Sequence, residues 1–454
     1  MTTNELFEGF PPVSAAAWKL QIQAGLRGED YNEQMTRTTP EGIRIKPFYT
    51  AEDLPPADRA RLPLPAGWKA GMLLVSGDGE AAERARKAIE GGISLFLVRV
   101  EGPAEWLGGL GADAGPFWLE WPDVHLDPES VLPGSLGGDS VLLPDPIGTL
   151  AETGNWSRGK SADLGRLQEL CRQWPQQLSL SIRADHYQQA GAHAVQQLAY
   201  AMSHIQEYVL QAQEHPELLP ALENPVFRVA VGGDYFMEIA KIRALRRLWI
   251  LLAAKYELPG ACRVIAVPSL RNKTLYDYNT NLLRTTLECM AAAVGGADLI
   301  CNQPYDTLYQ QPNDFADRIG RNQLLILREE AHFSRVSNPA DGSFYLESLT
   351  DQLGRKSLEL FKNLEKGGGF LVQLKALKIQ EKIREAAKKE QDAFDAGDLQ
   401  LVGSNVFPNP ADQMAGELQK EVFPRKSGKT LLEPLLLRRL TARYEQKRLK
   451  DEPR

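Results

Sequence analysis

The chain has 454 residues, 43% hydrophobic and 24% charged, with a formal net charge of -7. That is the composition of an ordinary globular protein with ample material for a large core, in one large domain or two to three smaller ones. An acidic balance argues against a general nucleic-acid binder, which normally carries a basic face. Cys171, Cys262, Cys289 and Cys301 form no CxxC pair, which excludes the usual zinc spacing, and four cysteines in so long a chain build no disulfide framework. A reducing, cytoplasmic setting is expected. The N-terminus MTTNELFEGFPP lacks the basic and apolar regions of a secretory signal, and no apolar run approaches the ~20 residues of a membrane span.

Residues 1–55 read as an arm. Ser14 through Leu26 can form one helix carrying Trp18, Leu20, Ile22 and Leu26, and the proline-rich stretch that follows has no sustained period. Such a segment usually lies on something else. A docked arm is expected, because Trp18, Phe48 and Tyr49 would otherwise be exposed; the alternative is a disordered terminus.

From about residue 70 short apolar runs bounded by Gly, Pro or Asp alternate with amphipathic helices. The expected strands are Met72–Ser76, Ser94–Val100, Phe117–Trp121, Val141–Pro144, Leu178–Arg183, Phe227–Val231, Arg263–Val267 and Asp298–Cys301. Helices are expected at Ala81–Ile89, Ala192–Gln211, Asp234–Tyr256 and Tyr278–Val294. Eight such units are what an α/β fold of the TIM (β/α)8-barrel class requires. A doubly wound open sheet is the rival. The stretch between the third and fifth strands is poor in helix signal, so irregular early units are expected.

After the eighth strand the pattern becomes helical: Asp314–Glu330, then Leu346–Glu365 stopped at Gly367–Gly368–Gly369, then Phe370–Asp395. Residues 402–430 read as loop and Leu431–Leu449 as a last helix. Its basic end carries Arg438, Arg439, Arg443, Lys447, Arg448 and Lys450. A solvated face is the simpler reading of that run, an interaction surface the other. The expected organisation is an arm over 1–60 that contacts a partner, a barrel with following helices over 61–410, and a helical tail over 411–454.

Few residues suggest chemistry. Gly108, Gly109 and Gly111 cluster, but no strand leads into them and no helix follows, so they make no dinucleotide loop. Asp123, His125 and Pro128 come close to DxHxxG, a signature in which His ligates cobalt and Asp orients it. The Pro breaks the motif and the position is too early in the chain, so coincidence is the preferred reading. His186 follows the fifth strand, at the mouth where catalytic groups sit in this fold. It could serve as a general acid or simply pack, and Asp185 could orient it or cap a helix.

Longer segments carry a resemblance. HYQQAGAHAVQQLAYAMSHIQEYV (His186–Val209), GGDYFMEIAKIRALRRLW (Gly232–Trp249), YNTNLLRTTLECMAAAVGGAD (Tyr278–Asp298), DFADRIGRNQLLILREE (Asp314–Glu330), NPADGSFYLESLT (Asn338–Thr350) and LVGSNVF (Leu401–Phe407) together resemble the methylmalonyl-CoA mutase family, on the side of its small (beta) subunit. The similarity runs from about 180 to 407, and TPEGIRIKPFYTAEDL near the N-terminus also looks familial. The resemblance implies an adenosylcobalamin-dependent isomerase that interconverts methylmalonyl-CoA and succinyl-CoA, as in propionate metabolism. In its catalytic chains the CoA tail threads the barrel axis, and some members pair a catalytic chain with an inactive relative.

This sequence departs from the catalytic pattern. Where catalytic chains carry an RTHCQTSG-like segment, SLRNKTLYDYN (Ser269–Asn279) keeps Arg271 and has Lys273 at the His position. WKAGMLLVSGDG (Trp68–Gly79) replaces the segment with the substrate-facing Tyr, and the Gln and Arg region before the fifth strand has no counterpart. No cobalamin-binding flavodoxin-like domain is expected within the 454 residues. The strands carry bulky Leu73, Leu74, Leu95, Phe96, Leu97, Phe117, Trp118, Leu142, Leu143, Val264 and Ile265. Strand faces alternate, so some of these point inward, and a barrel filled by branched side chains is a packed core.

The expectation is therefore a non-catalytic beta subunit. It would have no catalytic, cofactor-binding or metal residue of its own and would form a heterodimer with a larger catalytic mutase (alpha) chain that holds the adenosylcobalamin. No nucleic-acid or membrane partner is expected. The alternatives are a stand-alone barrel enzyme acting on an acyl-CoA, with His186, Arg271, Lys273 and Asn302 at the strand mouths, or a subunit of a related acyl-CoA mutase.

Overall fold

The computed structural model describes residue 9 and residues 13–54, 62–110, 115–132, 139–423 and 428–452. Eight parallel strands form one sheet: β1 (Lys69–Val75), β2 (Leu95–Arg99), β3 (Phe117–Trp121), β4 (Val141–Pro144), β5 (Ser181–Arg183), β6 (Val226–Val231), β7 (Arg263–Pro268) and β8 (Leu299–Cys301). Their order runs β4-β3-β2-β1-β8-β7-β6-β5. The backbone just before β5 closes the ring: Leu142 N donates to Gln177 O at 2.7 Å, and Ser179 N donates to Leu142 O at 3.0 Å. The fold is thus the expected (β/α)8 barrel, and the open-sheet rival is set aside.

Buried on both faces, the strands read as continuous apolar runs. The pleat sorts the bulky residues into two sets. Leu95, Leu97, Trp118, Leu143 and Ile265 join Val141, Val226, Val267, Leu299 and Cys301 in one cluster, with Leu73 against it. Leu74, Phe96, Phe117, Leu142 and Val264 belong to the second, larger cluster shared with the helices. The first set fills the barrel axis. In-register neighbours confirm the layering, with Leu97 beside Trp118 and Trp118 beside Val141.

Apart from single turns and one five-residue α-helix, the α-helices are α1 (Ala15–Gly25), α2 (Ala81–Glu90), α3 (Pro146–Thr153), α4 (Lys160–Gln173), α5 (Asp185–Ala190), α6 (Ala194–Glu214), α7 (Tyr235–Ala253), α8 (Thr280–Gly295), α9 (Asp314–Leu325), α10 (Phe344–Lys366), α11 (Gly369–Lys375), α12 (Lys378–Ala396) and α13 (Ala442–Asp451). Acidic and amide side chains start several of them. Asp145 accepts from Gly148 N at 2.8 Å with Pro146 in the first turn, and Asn313 accepts from Ala316 N at 2.9 Å.

Four expectations change. The stretch between the third and fifth strands holds two helices, α3 and α4; their apolar faces are short and mixed with polar residues, which hid the period. The expected helix Phe370–Asp395 is two, α11 and α12, broken where Leu377 takes φ 62°. That bend lets Phe370 and Leu374 on one side and Ile379 and Ile383 on the other reach the same core. Leu431–Leu449 is helical only from Ala442. Pro434 cannot continue an α-helix, and the neighbouring chain instead pairs with α3: Leu432 N donates to Gly154 O at 2.9 Å and Leu435 N to Ala151 O at 2.8 Å.

The arm is the fourth. Ile43 is fully buried, and Glu41 Oε1 accepts from Ala194 N at 3.1 Å, capping α6. Its helix α1 buries nothing, however. Trp18 stacks on Phe48 with centroids 4.9 Å apart yet remains 52% exposed, and Leu20 is 66% exposed.

Candidate functional site: the barrel mouth

At the C-terminal ends of the strands the apolar filling gives way to charge. Inward from β3 stands Glu120, from β5 Arg183 and from β6 Arg228. Arg228 Nη1 donates to Glu120 across the axis, and its Nε lies 3.3 Å from Asp185 Oδ2. Arg183 Nη1 donates to Glu152 Oε2 of α3 at 2.7 Å, and Arg99 Nη2 reaches the same oxygen at 3.1 Å. His186 Nε2 sits 3.6 Å from it.

The electrostatics follow from this crowding. Burial opposes ionisation of Glu120, but Arg228 and Arg183 outweigh it and hold the carboxyl below its ordinary range. Asp185 is likewise held down, burial being overcome by Arg228, His186 and Arg183. Glu152 is pushed down to about 2, because His186, Arg183 and Arg99 outweigh its burial. His186 is lowered, first by burial and then by Arg183, which favours the neutral ring. These groups neutralise one another. None is a free base beside a nucleophile.

The four mouth residues singled out from sequence do not converge. His186, with Asp185 beside it, joins the network just described. Arg271 is consumed by the helices and tail around it: Nε donates to Glu390 Oε2 of α12 at 2.9 Å, and Nη1 donates to Arg438 O. Lys273 is buried and held by Glu288 of α8 at 2.7 and 2.8 Å and by Asn272 Oδ1 at 2.8 Å. Burial lowers its pKa and raises that of Glu288, with each partner offsetting the effect on the other. Asn302 donates to Gly320 O at 3.0 Å and Gln323 Oε1 at 2.9 Å.

Asn302 does line an open feature, a cleft of about 700 Å³ between β1 and the loop after β8 that reaches down to Arg228. Gly71, Leu73, Asp306, Asp317 and Lys420 also line it. Asp317 is paired with Arg84 at 2.7 Å. The thiol nearest the axis, Cys301, is pushed up to about 12 by burial, so no thiolate is offered there.

The cobalt-motif near miss is structural. His125 Nε2 lies 2.8 Å from Asp163 Oδ1, and Asp163 also accepts from Ser157 N and Arg158 N, while Pro128 opens a single turn capped by Asp127. Gly108 and Gly109 lie in a 3-10 segment, and Gly111 is outside the described residues. Among the described residues no group of three His, Cys, Asp or Glu side chains could hold a metal ion, and no helix is long and apolar enough to cross a membrane.

Sequence reading missed Glu120, Glu152, Arg183 and Arg228. For Glu120, Arg183 and Arg228 the signal was available, since a charged residue inside an apolar strand pattern must be buried and therefore paired; Glu152, on α3, carried no such signal.

Fold and site thus define a class: a (β/α)8-barrel protein whose axis is filled by side chains and whose mouth carries a self-neutralising charge network beside an open cleft. Comparison with known proteins narrows it. Residues 165–432 match the family model described as methylmalonyl-CoA mutase. The chain is 30% identical over 449 residues to the methylmalonyl-CoA mutase small subunit of Porphyromonas gingivalis, spanning 89% of this chain and 71% of that protein. It is 30% identical over 438 residues to the small subunit of Streptomyces virginiae, spanning 88% and 71%. With the methylmalonyl-CoA mutase of Cereibacter sphaeroides it shares 34% identity over 245 residues, 52% of this chain and 34% of that one. The chain belongs to the methylmalonyl-CoA mutase family.

Proposed function

We propose that this chain is the non-catalytic small subunit of an adenosylcobalamin-dependent methylmalonyl-CoA mutase, paired with a larger catalytic chain that carries the cofactor and the turnover. One observation carries the reading. The inward residues Leu95, Leu97, Trp118, Val141, Leu143, Val226, Ile265 and Leu299 fill the axis through which a catalytic relative would thread its CoA tail, and Glu120–Arg228–Asp185 caps that filling. A side chain cannot share that space with an extended ligand.

The mouth does not fit a corrin either. The segment before α13 lies over it: Arg438 N donates to Gln189 O at 2.9 Å and Leu440 N to Arg271 O at 3.0 Å. His125 is held by Asp163 at 2.8 Å, and His186 is buried beside Arg183 and Glu152 with its ring turned away from solvent contact. No catalytic step is therefore assigned to these residues.

Relatives called small subunits support a partner. So does the arm, which exposes Val13 just before its helix and Trp18 and Leu20 on it. In this reading the arm and the C-terminal helices meet the catalytic chain, in the cytoplasm.

The test is to purify the chain alone and with a longer mutase chain from the same genome. Alone it should bind no cobalamin and turn over no methylmalonyl-CoA; mixed, the two should form a stoichiometric complex. Isomerase activity in the lone chain would overturn the proposal.

A further inference from the structure

The basic run near the C-terminus is divided by the fold. Arg448 is spent on structure: its guanidinium lies 3.9 Å from the Tyr276 ring centroid and donates to Asn409 O and Asp412 O. Arg438, Arg439 and Arg443 instead line a groove of about 530 Å³ between α12 and the tail, which Arg271, Arg384 and Lys388 also face. Val422, Phe423 and Leu437 supply apolar wall.

Four of those six cations are already matched. Arg271 pairs with Glu390, Arg384 with Glu433, Lys388 with Asp392 and Arg439 with Glu445. Arg438 and Arg443 have no hydrogen bond or ion pair from their guanidinium groups among the described residues. Arg438 is exposed on the groove, and Arg439, which is buried and also lines it, has an Nη2 with no hydrogen-bond partner among the described residues. The N-terminus of the ten-residue helix α13 opens on the same groove through Ala442 and Arg443. Thr441 provides no side-chain cap, and the amides of Arg443 and Tyr444 find no backbone acceptor among the described residues. Uncompensated guanidinium charge and free first-turn amides facing one groove are the elements of a site for phosphate oxygens.

We infer that this groove binds a small phosphate-bearing anion, with Arg438 and Arg443 as charged contacts, the start of α13 supplying amides and the Val422–Phe423 wall accepting an organic substituent. The site is separate from the barrel-mouth cleft, and because it lies on the C-terminal helices that the proposed function places against a catalytic chain, it is tested on this chain alone.

The experiment is calorimetric titration of the full chain at low salt with inorganic phosphate and, separately, with phenyl phosphate. Saturable binding is expected, weakened about tenfold by Arg443→Gln and further by Arg438→Gln, and unchanged by Arg86→Gln on α2, since each charge-assisted contact is worth about a factor of ten. Arg443 is exposed, so its variant reads binding without disturbing the fold. Tighter binding of phenyl phosphate supports an organic ester as the natural ligand, and equal binding supports a free inorganic anion. Absence of saturable binding, binding that both arginine variants leave unchanged, or binding of a polyglutamate peptide with neither phosphate would overturn the inference.

Discussion

Arg228 and Glu120 meet across the barrel axis, 108 residues apart in sequence, and together they close the top of an otherwise apolar interior. Breaking such a pair leaves a charge buried without its counter-ion. Glu120→Gln should cost about 3 kcal/mol in urea unfolding, and joint replacement by Glu120→Leu and Arg228→Met should recover most of it. A loss under about 1 kcal/mol would mean that Asp185 alone neutralises Arg228.

Acid should unfold the mouth in a defined window. Glu152 ionises at about 2 in the fold against 4.5 ordinarily, so the unfolded chain binds its proton first as pH falls. Its contribution is complete above about 4.5 and is lost as pH drops towards 2. His186 is lowered as well, so stability already declines as pH falls below its ordinary value of 6.5. Glu152→Gln should flatten the acid limb of a stability-against-pH curve measured by circular dichroism; an unchanged slope between 4.5 and 2 would refute the assignment.

Trp118 is the largest side chain of the axial cluster. Trp118→Ala should cost about 3–5 kcal/mol from lost burial and the void left behind. The variant should still not isomerise methylmalonyl-CoA alone, because the charged cap above the void remains. A loss of less than about 1 kcal/mol in thermal or urea unfolding would show that the axis is not tightly packed there.

Gly191 ends α5 at φ 112°, and a Cβ placed there would lie 2.4 Å from Ala387 Cβ of α12. Gly191→Ala should therefore destabilise by about 3 kcal/mol, combining backbone strain and overpacking, and should loosen α12 from the mouth. Hydrogen exchange over Ile383–Gln391 reads the second effect directly. At Leu377 the logic reverses. Its φ of 62° is one that glycine adopts without penalty, so Leu377→Gly should be neutral or stabilising by up to about 1 kcal/mol. Marked destabilisation would instead show that the Leu377 side chain contributes packing that outweighs the strain.

Local pattern was enough to place all eight strands and the long helices α6, α7, α8 and α10, because each is an apolar period long enough to read without its neighbours. It also made family membership legible, through long ordered segments such as Phe236–Trp249. Pattern could not say which bulky strand residues point inward. Leu97 and Phe96 are equally apolar, and only closure of the ring sends the first to the axis and the second to the helices. Nor could it say what the mouth residues touch. Arg271 looked like a retained site residue until α12 and the tail were seen to take its guanidinium. The basic run at Arg438–Lys450 was ambiguous for the same reason. A charge's meaning lies in its counter-charges, and those come from segments far away in sequence. What the sequence determined by itself was the barrel and its lineage; the filled axis, the neutralised mouth and the unpaired arginines of the tail groove were decided by tertiary contacts, since burial and pairing exist only once distant segments meet.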